Sequence, residues 1–389
     1  MSKQKYNKVS VIGGAGHIGL PLSCFMQNNG FEVVVIDNNL KSLNLLKQNI
    51  LTFYEKDLEI NLKQALGDGL VLTNDLEKIS ETEIVIVTIG TSSNKEHLEL
   101  FKNLMNDVLE KISKESLLIL RSTITLEDIE LIQSNNNFIN KNIKLAYCPE
   151  RIAEGEAFNE LKKLPQIVGT EIEEVYEVTK DIFENLKIKT ISTTINDAIF
   201  TKLFTNSYRH ANFSLANEFY NIAVENNIDF ERIRELATID YPRLKNFPFT
   251  GYVGGPCLPK DLETFIKSYN VEDSLLNHLE EVNDKFLNNI VQRCNKIFDE
   301  KKLILLGLSF KVDSDDIRGS GSIELYRKLK KEGFEIFPVD PLVNQEEIDF
   351  ELFEFSQASK KTNNILIAVD HKNFKEFNLK DKKVFYVEI

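Results

Sequence analysis

Lys8-Val-Ser-Val-Ile-Gly-Gly-Ala-Gly-His-Ile-Gly-Leu-Pro21 is the stretch whose reading decides how this chain folds. Val9, Val11 and Ile12 make a short apolar strand, and Gly14, Gly16 and Gly19 then space out as G-x-G-x-x-G. A helical segment follows through Leu22, Phe25 and Met26 and stops at Gly30; a second apolar strand, Val33–Ile36, ends in Asp37. Strand, glycine turn, helix, strand and terminal acid, in that order, make a dinucleotide site. The glycines admit a pyrophosphate to the helix N-terminus, where backbone N–H groups and the helix dipole favour anions. Asp37 can accept hydrogen bonds from a ribose diol and would repel a 2′-phosphate, so NAD is expected rather than NADP.

Beyond Asp37 the pattern alternates. Strands are expected at Glu83–Thr88, Leu117–Arg121 and Lys144–Tyr147, with Gln166–Gly169 and Lys187–Ile191 extending the sheet. Helices fit Leu40–Asn49, Asp57–Leu66, Leu98–Ile112 and Ile172–Asn185. This alternation implies a parallel, doubly wound α/β sheet with ligands at its C-terminal strand edge. From about Asn196 to Asn227 the strand signal vanishes, and Ile199, Leu203, Phe204, Ser207, Ala211, Leu215 and Phe219 recur at helical spacing. One long helix is expected there, as a spine between domains or a dimer interface. Further helices are placed near Asp229–Thr238, Asp261–Tyr269 and Ser274–Phe298. A second α/β unit opens at Lys302–Gly307, with a helix at Ser322–Glu332 and strands at Phe334–Val339 and Asn364–Val369. The expected organisation is therefore two doubly wound Rossmann-like domains, 1–195 and 300–389, joined by a central helical domain, 196–299.

Composition narrows the function classes. A chain of 389 residues with 42% hydrophobic and 28% charged residues is an ordinary globular protein of more than one domain. Its net charge of -13 argues against nucleic acid as a partner. Cys24, Cys148, Cys257 and Cys294 are scattered without metal spacing, so no metal is expected and the thiols read as reduced in a cytoplasmic protein. The leader Met1–Asn7 is too short and polar for a signal peptide, and no apolar run reaches membrane-spanning length.

Several constellations carry chemistry. Gly251-Tyr-Val-Gly-Gly-Pro-Cys-Leu-Pro-Lys-Asp261 shapes a glycine- and proline-rich loop around one thiol, Cys257, with Lys260 and Asp261 three and four residues on. A thiol beside a cation is a candidate nucleophile, and a nearby carboxylate can move protons. Glu150 and Glu154 stand four apart and would share one face if their segment turned helically. Lys202 and Asn206, four apart on the long helix, can stabilise a developing oxyanion. Lys311 and Arg318 follow a strand beside three aspartates and suit a diphosphate, or else a self-neutralising cluster. Ser122 and Thr123 place hydroxyls at the expected ligand edge.

Together these residues resemble the UDP-glucose/GDP-mannose dehydrogenase family through nearly the whole chain. The marks are Gly14-x-Gly-x-x-Gly19-Leu-Pro, Ser122-Thr123, Pro149-Glu150-Arg151, Lys202-x-x-x-Asn206 with Asn212, Gly254-Gly-x-Cys257-x-Pro-Lys-Asp261 and Phe310-Lys-x-Asp-x-Asp-Asp-x-Arg318. The resemblance implies four-electron oxidation of a UDP-sugar C6 alcohol to the acid with two NAD. It implies Cys257 as nucleophile, Asp261 and Lys202 in proton removal, Asn206 with Lys202 on the oxyanion, and Glu154 activating the hydrolytic water. It places Thr123, Thr91, His17, Ile18 and Arg318 with the cofactor, and Glu150, Arg151, Tyr252, Gly254 and Lys311 with water or substrate. Arg243 matches an arginine that relatives lend to the sugar nucleotide across a homodimer interface.

The chain departs from the family where V-P-T-P becomes Thr88-Ile-Gly-Thr-Ser92, where the S-T-V-x-P-G-T run loses its proline and glycine, and where Ala15 and His17 replace an aromatic-bearing turn. Pro149-Glu-Arg151 and Val253-Gly-Gly-x-Cys257 look like the N-acetylhexosamine branch; Pro259-Lys-Asp261 and Ala153-Glu-Gly155 look more like the UDP-glucose branch. A UDP-N-acetyl-mannosamine or -glucosamine is the favoured substrate, with UDP-glucose as the alternative. A two-electron β-hydroxyacid-type dehydrogenase, which would need neither Cys257 nor the third domain, is the rival enzyme.

Overall fold

Apolar runs four or five residues long, flanked by turns, are too short for buried helices and sit in the structure as strands of two sheets that are parallel but for one pairing. The structure, a computed structural model, describes residues 6–91 and 95–387, the side chains of 95–97 excepted. The first five leader residues and Ser92 lie outside the described residues. The chain divides into two compact units, 1–204 and 205–389.

The first unit holds an eight-stranded sheet: β1 (Lys8–Ile12), β2 (Glu32–Ile36), β3 (Val71–Thr73), β4 (Ile84–Val87), β5 (Leu117–Leu120), β6 (Lys144–Tyr147), β7 (Gln166–Gly169) and β8 (Thr190–Thr193). Its order is β3-β2-β1-β4-β5-β6-β7-β8. The direction of winding reverses between β1 and β4, so the glycine turn after β1 lies at the topological switch point where such sheets bind ligands. Val9, Val11, Val33, Val35, Ile84 and Ile86 fill one core face, while the alternating Val85, Val87, Leu118 and Leu120 are equally buried on the other. One expectation is corrected: β7 does not extend the parallel run but meets β6 antiparallel, at Tyr147 and Gly169. A parallel neighbour needs a crossover, whereas residues 148–165 return directly with one short helix, Ala157–Lys163. The three-residue β3 was too short to leave a pattern in the sequence.

The second unit carries β9 (Lys302–Leu306), β10 (Glu335–Val339), β11 (Asn364–Ile367) and β12 (Lys383–Tyr386), all parallel, in the order β10-β9-β11-β12. Leu303, Leu305 and Leu366 pack into one core; Ile304, Leu306, Ile365 and Ile367 pack into another across the sheet. Helices Phe230–Thr238, Leu258–Ser268 and Leu279–Ile297 precede it. The segment expected as one helix from Ser274 divides into a capped turn, Leu275–His278, and the helix Leu279–Ile297.

The expected long helix runs Ile195–Glu225, 31 residues or about 46 Å at 1.5 Å per residue. Its buried side mixes hydrocarbon, including Ile199, Leu203, Ala216 and Tyr220, with polar groups. Lys202, Asn206, His210, Ser214, Asn217 and Asn221, spaced by three and four, are buried. Phe200, Phe204, Tyr208, Leu215, Phe219 and Ile222 on the other side are exposed. Buried amides demand partners, and they have them: Asn289 donates to Asn221 at 2.7 Å, and His210 pairs with Glu280 at 2.9 Å.

The two strand-end aspartates look alike in sequence and differ in the fold. Asp37, half-buried, accepts from the Ala15 N–H at 3.1 Å. Asp340 is buried and accepts from Leu308 N–H (2.7 Å), Leu342 N–H (2.9 Å) and His371 Nε2 (3.1 Å). Because His371 Nδ1 accepts from the Asp313 N–H at 2.9 Å, its proton belongs on Nε2, facing Asp340. Burial pushes the Asp340 carboxyl up, but His371 and the two backbone N–H groups outweigh it and hold the group below its ordinary 3.8. A depressed carboxyl stabilises the fold above its ordinary value and stops doing so as pH falls through the folded one. Asp340→Asn, which sets an amide N–H against a backbone N–H, is expected to cost roughly 2 kcal/mol or more at pH 7. Urea unfolding measured from pH 7 downward should show that difference shrinking below 3.8.

Candidate active site

The glycine turn is built by contact distances. A Cβ on Gly14 would lie 2.7 Å from the Val11 carbonyl oxygen, and one on Gly19 would lie 2.4 Å from that of Gly13, so these two are glycine for the fold itself. A Cβ on Gly16 would meet nothing closer than 3.5 Å. Its missing side chain leaves a hollow in front of the helix Gly19–Gln27, which suits the close approach of a pyrophosphate. Thr88 Oγ1 donates to the Ile12 carbonyl at 2.9 Å and holds the turn to β4. Asp37 stands at the end of β2 with its carboxylate against this turn, in the place for a ribose diol. The residues present fit NAD.

Thr91 and Thr123, after adjacent β4 and β5, come together: Thr91 Oγ1 donates to the Thr123 carbonyl at 2.6 Å. His17 lies 3.9 Å from the Glu154 carboxylate, and its ring sits 4.0 Å from that of Phe53. The two glutamates do not share a helical face, because residues 148–156 form an irregular loop. Glu150 turns inward onto Arg121 and accepts from the N–H groups of Arg151 (2.7 Å) and Ile152 (2.8 Å). Burial raises its carboxyl, and the Arg121 charge with those hydrogen bonds overrides this to hold it below the usual range. Arg151 is half-buried beside it, and burial draws its guanidinium down. Glu154 stays partly exposed.

Two residues that shape this loop escaped the sequence reading. Arg121 was counted only as the end of a strand, and it is the buried counter-charge of Glu150. Glu55, also buried, accepts from the N–H of Gly155 (2.7 Å) and of Ala157 (2.9 Å), a hundred residues away, and so pins the Glu154 turn. Nothing local in the sequence points from one to the other.

In the second unit, Cys257 is the N-cap residue of the helix Leu258–Ser268, whose second position is a proline. Asp261 follows one turn later, its N–H bonded to the Cys257 carbonyl at 2.8 Å. The Asp261 carboxylate is buried, receives Asn206 Nδ2 at 2.6 Å and lies 3.0 Å from Lys260 Nζ. Lys202 stands one helical turn before Asn206 on the long helix, and both are buried. Of the four thiols, Cys257 alone is exposed. Burial pushes Cys24, Cys148 and Cys294 up to about 12, which leaves them unreactive at neutral pH.

The cysteine loop is clasped to the segment after β9. Gly255 N–H donates to the Gly319 carbonyl at 3.0 Å, and a Cβ on Gly254 would lie 2.3 Å from that same oxygen. Only hydrogen fits there. The clasped segment carries Lys311, half-buried beside the Phe310 ring, and Arg318, exposed and paired with Asp316. Tyr252 is half-buried, its phenol pushed up to about 12 by burial and then by Glu280, Glu324 and Asp284. Arg243 lies in the exposed turn Pro242–Leu244, stacked 4.6 Å from the Tyr241 ring.

Residues 7–187 match the NAD binding domain of the UDP-glucose/GDP-mannose dehydrogenase family. Residues 196–285 match its central domain, and residues 304–386 its UDP binding domain. The chain is 29% identical over 386 residues to a UDP-N-acetyl-D-mannosamine dehydrogenase of Methanococcus vannielii, covering 96% of this chain and 88% of that one. It is likewise 29% identical over 395 residues to the enzyme of that name from Methanocaldococcus jannaschii, covering 98% and 90%. The solved UDP-N-acetyl-mannosamine dehydrogenase of Staphylococcus aureus superposes with a TM-score of 0.82 at 26% identity, over 98% of this chain and 97% of that one.

The glycine geometry separates binding from folding. Gly16→Ala should unfold in urea like the native protein but bind NAD at least tenfold more weakly by calorimetry. Gly19→Ala should lose roughly 2 kcal/mol of stability, as an overpacked core does.

Proposed function

The chain belongs to the UDP-glucose/GDP-mannose dehydrogenase family, and on that premise we propose that it oxidises the C6 alcohol of UDP-N-acetylmannosamine to the uronic acid through a covalent intermediate on Cys257. NAD-dependent oxidation of a UDP-sugar follows from the family; the choice of sugar follows the relatives' names. The observation that carries the covalent step is the exposure of one thiol of four, at a helix start, one turn from a buried aspartate fixed by Asn206.

Overall, one CH2OH group, one water and two NAD+ give one carboxylate, two NADH and three protons. NAD, which the turn of Gly14, Gly16 and Gly19 with Asp37 would hold, would supply the hydride acceptor for each of the two oxidations. Asp261 and Lys202 draw the hydroxyl proton away through water as the alcohol becomes an aldehyde. The Cys257 thiolate, favoured by the N–H groups of its helix start, adds to the aldehyde carbon and forms a thiohemiacetal. Lys202 and Asn206 hold its negative oxygen. Loss of the second hydride leaves a thioester, which water activated by Glu154 cleaves to the acid and the returned thiolate. Thr123 orients the cofactor, with Thr91, His17, Ile18 and Arg318 nearby in role. Lys311, Arg151, Tyr252 and Gly254 serve the UDP-sugar. Glu150, committed to Arg121, keeps the Glu154 loop in shape. Uronic acids of this kind feed surface polysaccharides. No described helix is long and apolar enough to cross a membrane.

The exposed stripe Phe200, Phe204, Tyr208, Leu215, Phe219 and Ile222 supports a homodimer, since so large an apolar face on one helix calls for a cover. Arg243 of each copy would reach the partner's sugar nucleotide.

Two experiments test this reading. In a panel of UDP-sugars, UDP-N-acetylmannosamine should yield two NADH per acid, and Cys257→Ser should stop after trace turnover. Undiminished double oxidation by that variant would refute the covalent step, and one NADH per sugar in the native enzyme would favour the β-hydroxyacid type. Separately, Leu215→Glu with Phe219→Glu should halve the mass in sedimentation, and Arg243→Ala should raise KM for the UDP-sugar tenfold or more while leaving KM for NAD unchanged.

A further inference from the structure

The thiol at the centre of that reaction sits in a loop that has little reason to hold still. Gly251, Gly254 and Gly255 give the segment before Cys257 wide backbone freedom, and ordering it costs entropy. What fixes it is a pair of side chains that neither the motif nor the mechanism mentions. Asn217 Nδ2 donates to the Gly251 carbonyl at 2.7 Å, and Asn217 Oδ1 accepts from the Gly251 N–H at 2.9 Å. Two residues on, Asn283 Oδ1 accepts from the Val253 N–H at 2.8 Å, and Asn283 Nδ2 donates to the Val253 carbonyl at 3.0 Å. Both asparagines are fully buried.

The alternation has a physical cause. In an extended segment, the N–H and C=O of residues i and i+2 point to the same edge, where a neighbouring strand would normally pair with them. Here the neighbours are two helices, Ile195–Glu225 and Leu279–Ile297, whose own backbone groups are used internally. A helix can hold a strand edge only through a side chain that both donates and accepts, and the carboxamide does this. Each amide is locked in orientation, because a flip would set N–H against N–H and oxygen against oxygen. The frame is itself tied: Asn289, on the second helix, donates to Asn221 on the first at 2.7 Å. Downstream of the thiol, Asn206 of the first helix holds Asp261 at 2.6 Å. Asn206 and Asn217 are eleven residues apart, three helical turns, and so share a face. One helix therefore grips the cysteine segment on both sides of Cys257.

We infer that Asn217 and Asn283 are positioning residues for Cys257: their paired hydrogen bonds to Gly251 and Val253 set where the thiol stands, and hence whether it captures the half-oxidised sugar before that sugar escapes. This rests on the covalent role proposed for Cys257. Neither amide is assigned any contact with substrate or cofactor.

The decisive variants are Asn283→Asp and Asn217→Asp. A protonated carboxyl donates and accepts as the amide does; a carboxylate only accepts and opposes the backbone carbonyl. The variants should therefore approach native behaviour at low pH and fail as pH rises through the new carboxyl's titration, a step absent from the native enzyme. Three readouts follow in the intact protein. The rate at which iodoacetamide alkylates Cys257, located by peptide mapping, should fall about tenfold relative to native above that step. NADH per acid should climb above two, because aldehyde leaks after the first oxidation; hydroxylamine should trap it. KM for NAD should stay unchanged. If both variants lose stability yet keep the native alkylation rate at every pH and leak no aldehyde, the asparagines are structural only and the inference is overturned. Should Asn283→Asp fail to fold at neutral pH, Asn217→Ser, small enough to admit a bridging water, carries the same readouts. Failure of the covalent reading itself would look different: the Cys257→Ser variant would still make acid, while alkylation of Cys257 in the asparagine variants would still report whether the amides place the thiol.

Discussion

A helix of 31 residues that buries amides and an imidazole among its hydrocarbon side chains imposes the constraint from which the second unit takes its form. An unpaired buried amide costs on the order of 1–3 kcal/mol. Asn206, His210, Asn217 and Asn221 can therefore be buried only where each meets a partner, and that requirement specifies what may lie against them. Asn206 calls for Asp261, His210 for Glu280, Asn217 for the Gly251 backbone, and Asn221 for Asn289. Apolar packing tolerates sliding and repacking; these bonds do not. The same helix turns Phe200, Phe204 and Phe219 outward, which a lone globular helix would bury.

Close backbone approach is the second organising device. Gly14 and Gly19 let the first turn fold back on β1, and Gly254 lets the cysteine loop touch Gly319. Each is required by a protein contact under 3 Å. Gly16 is different, since no protein atom explains the missing side chain. The two strand-end acids divide in the same way. Asp340 is surrounded by His371 and two N–H groups and has become part of the fold, whereas Asp37 keeps an exposed edge.

Selectivity among the thiols follows from burial alone. Three cysteines are buried and resist ionisation; the fourth is exposed at the N-cap position of a helix. Asp261 follows one helical turn later and bonds through its N–H to the Cys257 carbonyl, while its carboxylate turns inward to Asn206. The sequence placed Cys257 in a loop and began the helix at Asp261; the structure begins it at Leu258, three residues earlier. The relation inferred for Glu150 and Glu154 does not hold, because it assumed a helix where the loop is irregular, and the carboxylates go to Arg121 and towards His17 instead.

What the sequence determined by itself was everything carried by short-range pattern. Apolar runs and turn residues located ten of the twelve strands, glycine spacing marked the nucleotide turn, and i, i+4 spacing on the long helix set Lys202 beside Asn206. The three-residue β3 went unread, and so did β12, although Val384-Phe-Tyr-Val387 is an apolar run like those of the other strands. Tertiary structure alone decided which faces are buried, the antiparallel turn of β7, and every pairing of a side chain with distant backbone: Glu55 with Gly155 and Ala157, Asn217 with Gly251, Asn283 with Val253. The reason is physical. Periodicity records how a residue relates to its own helix or strand, while an amide or carboxylate satisfies any N–H within 3 Å, and only the folded chain sets which one that is.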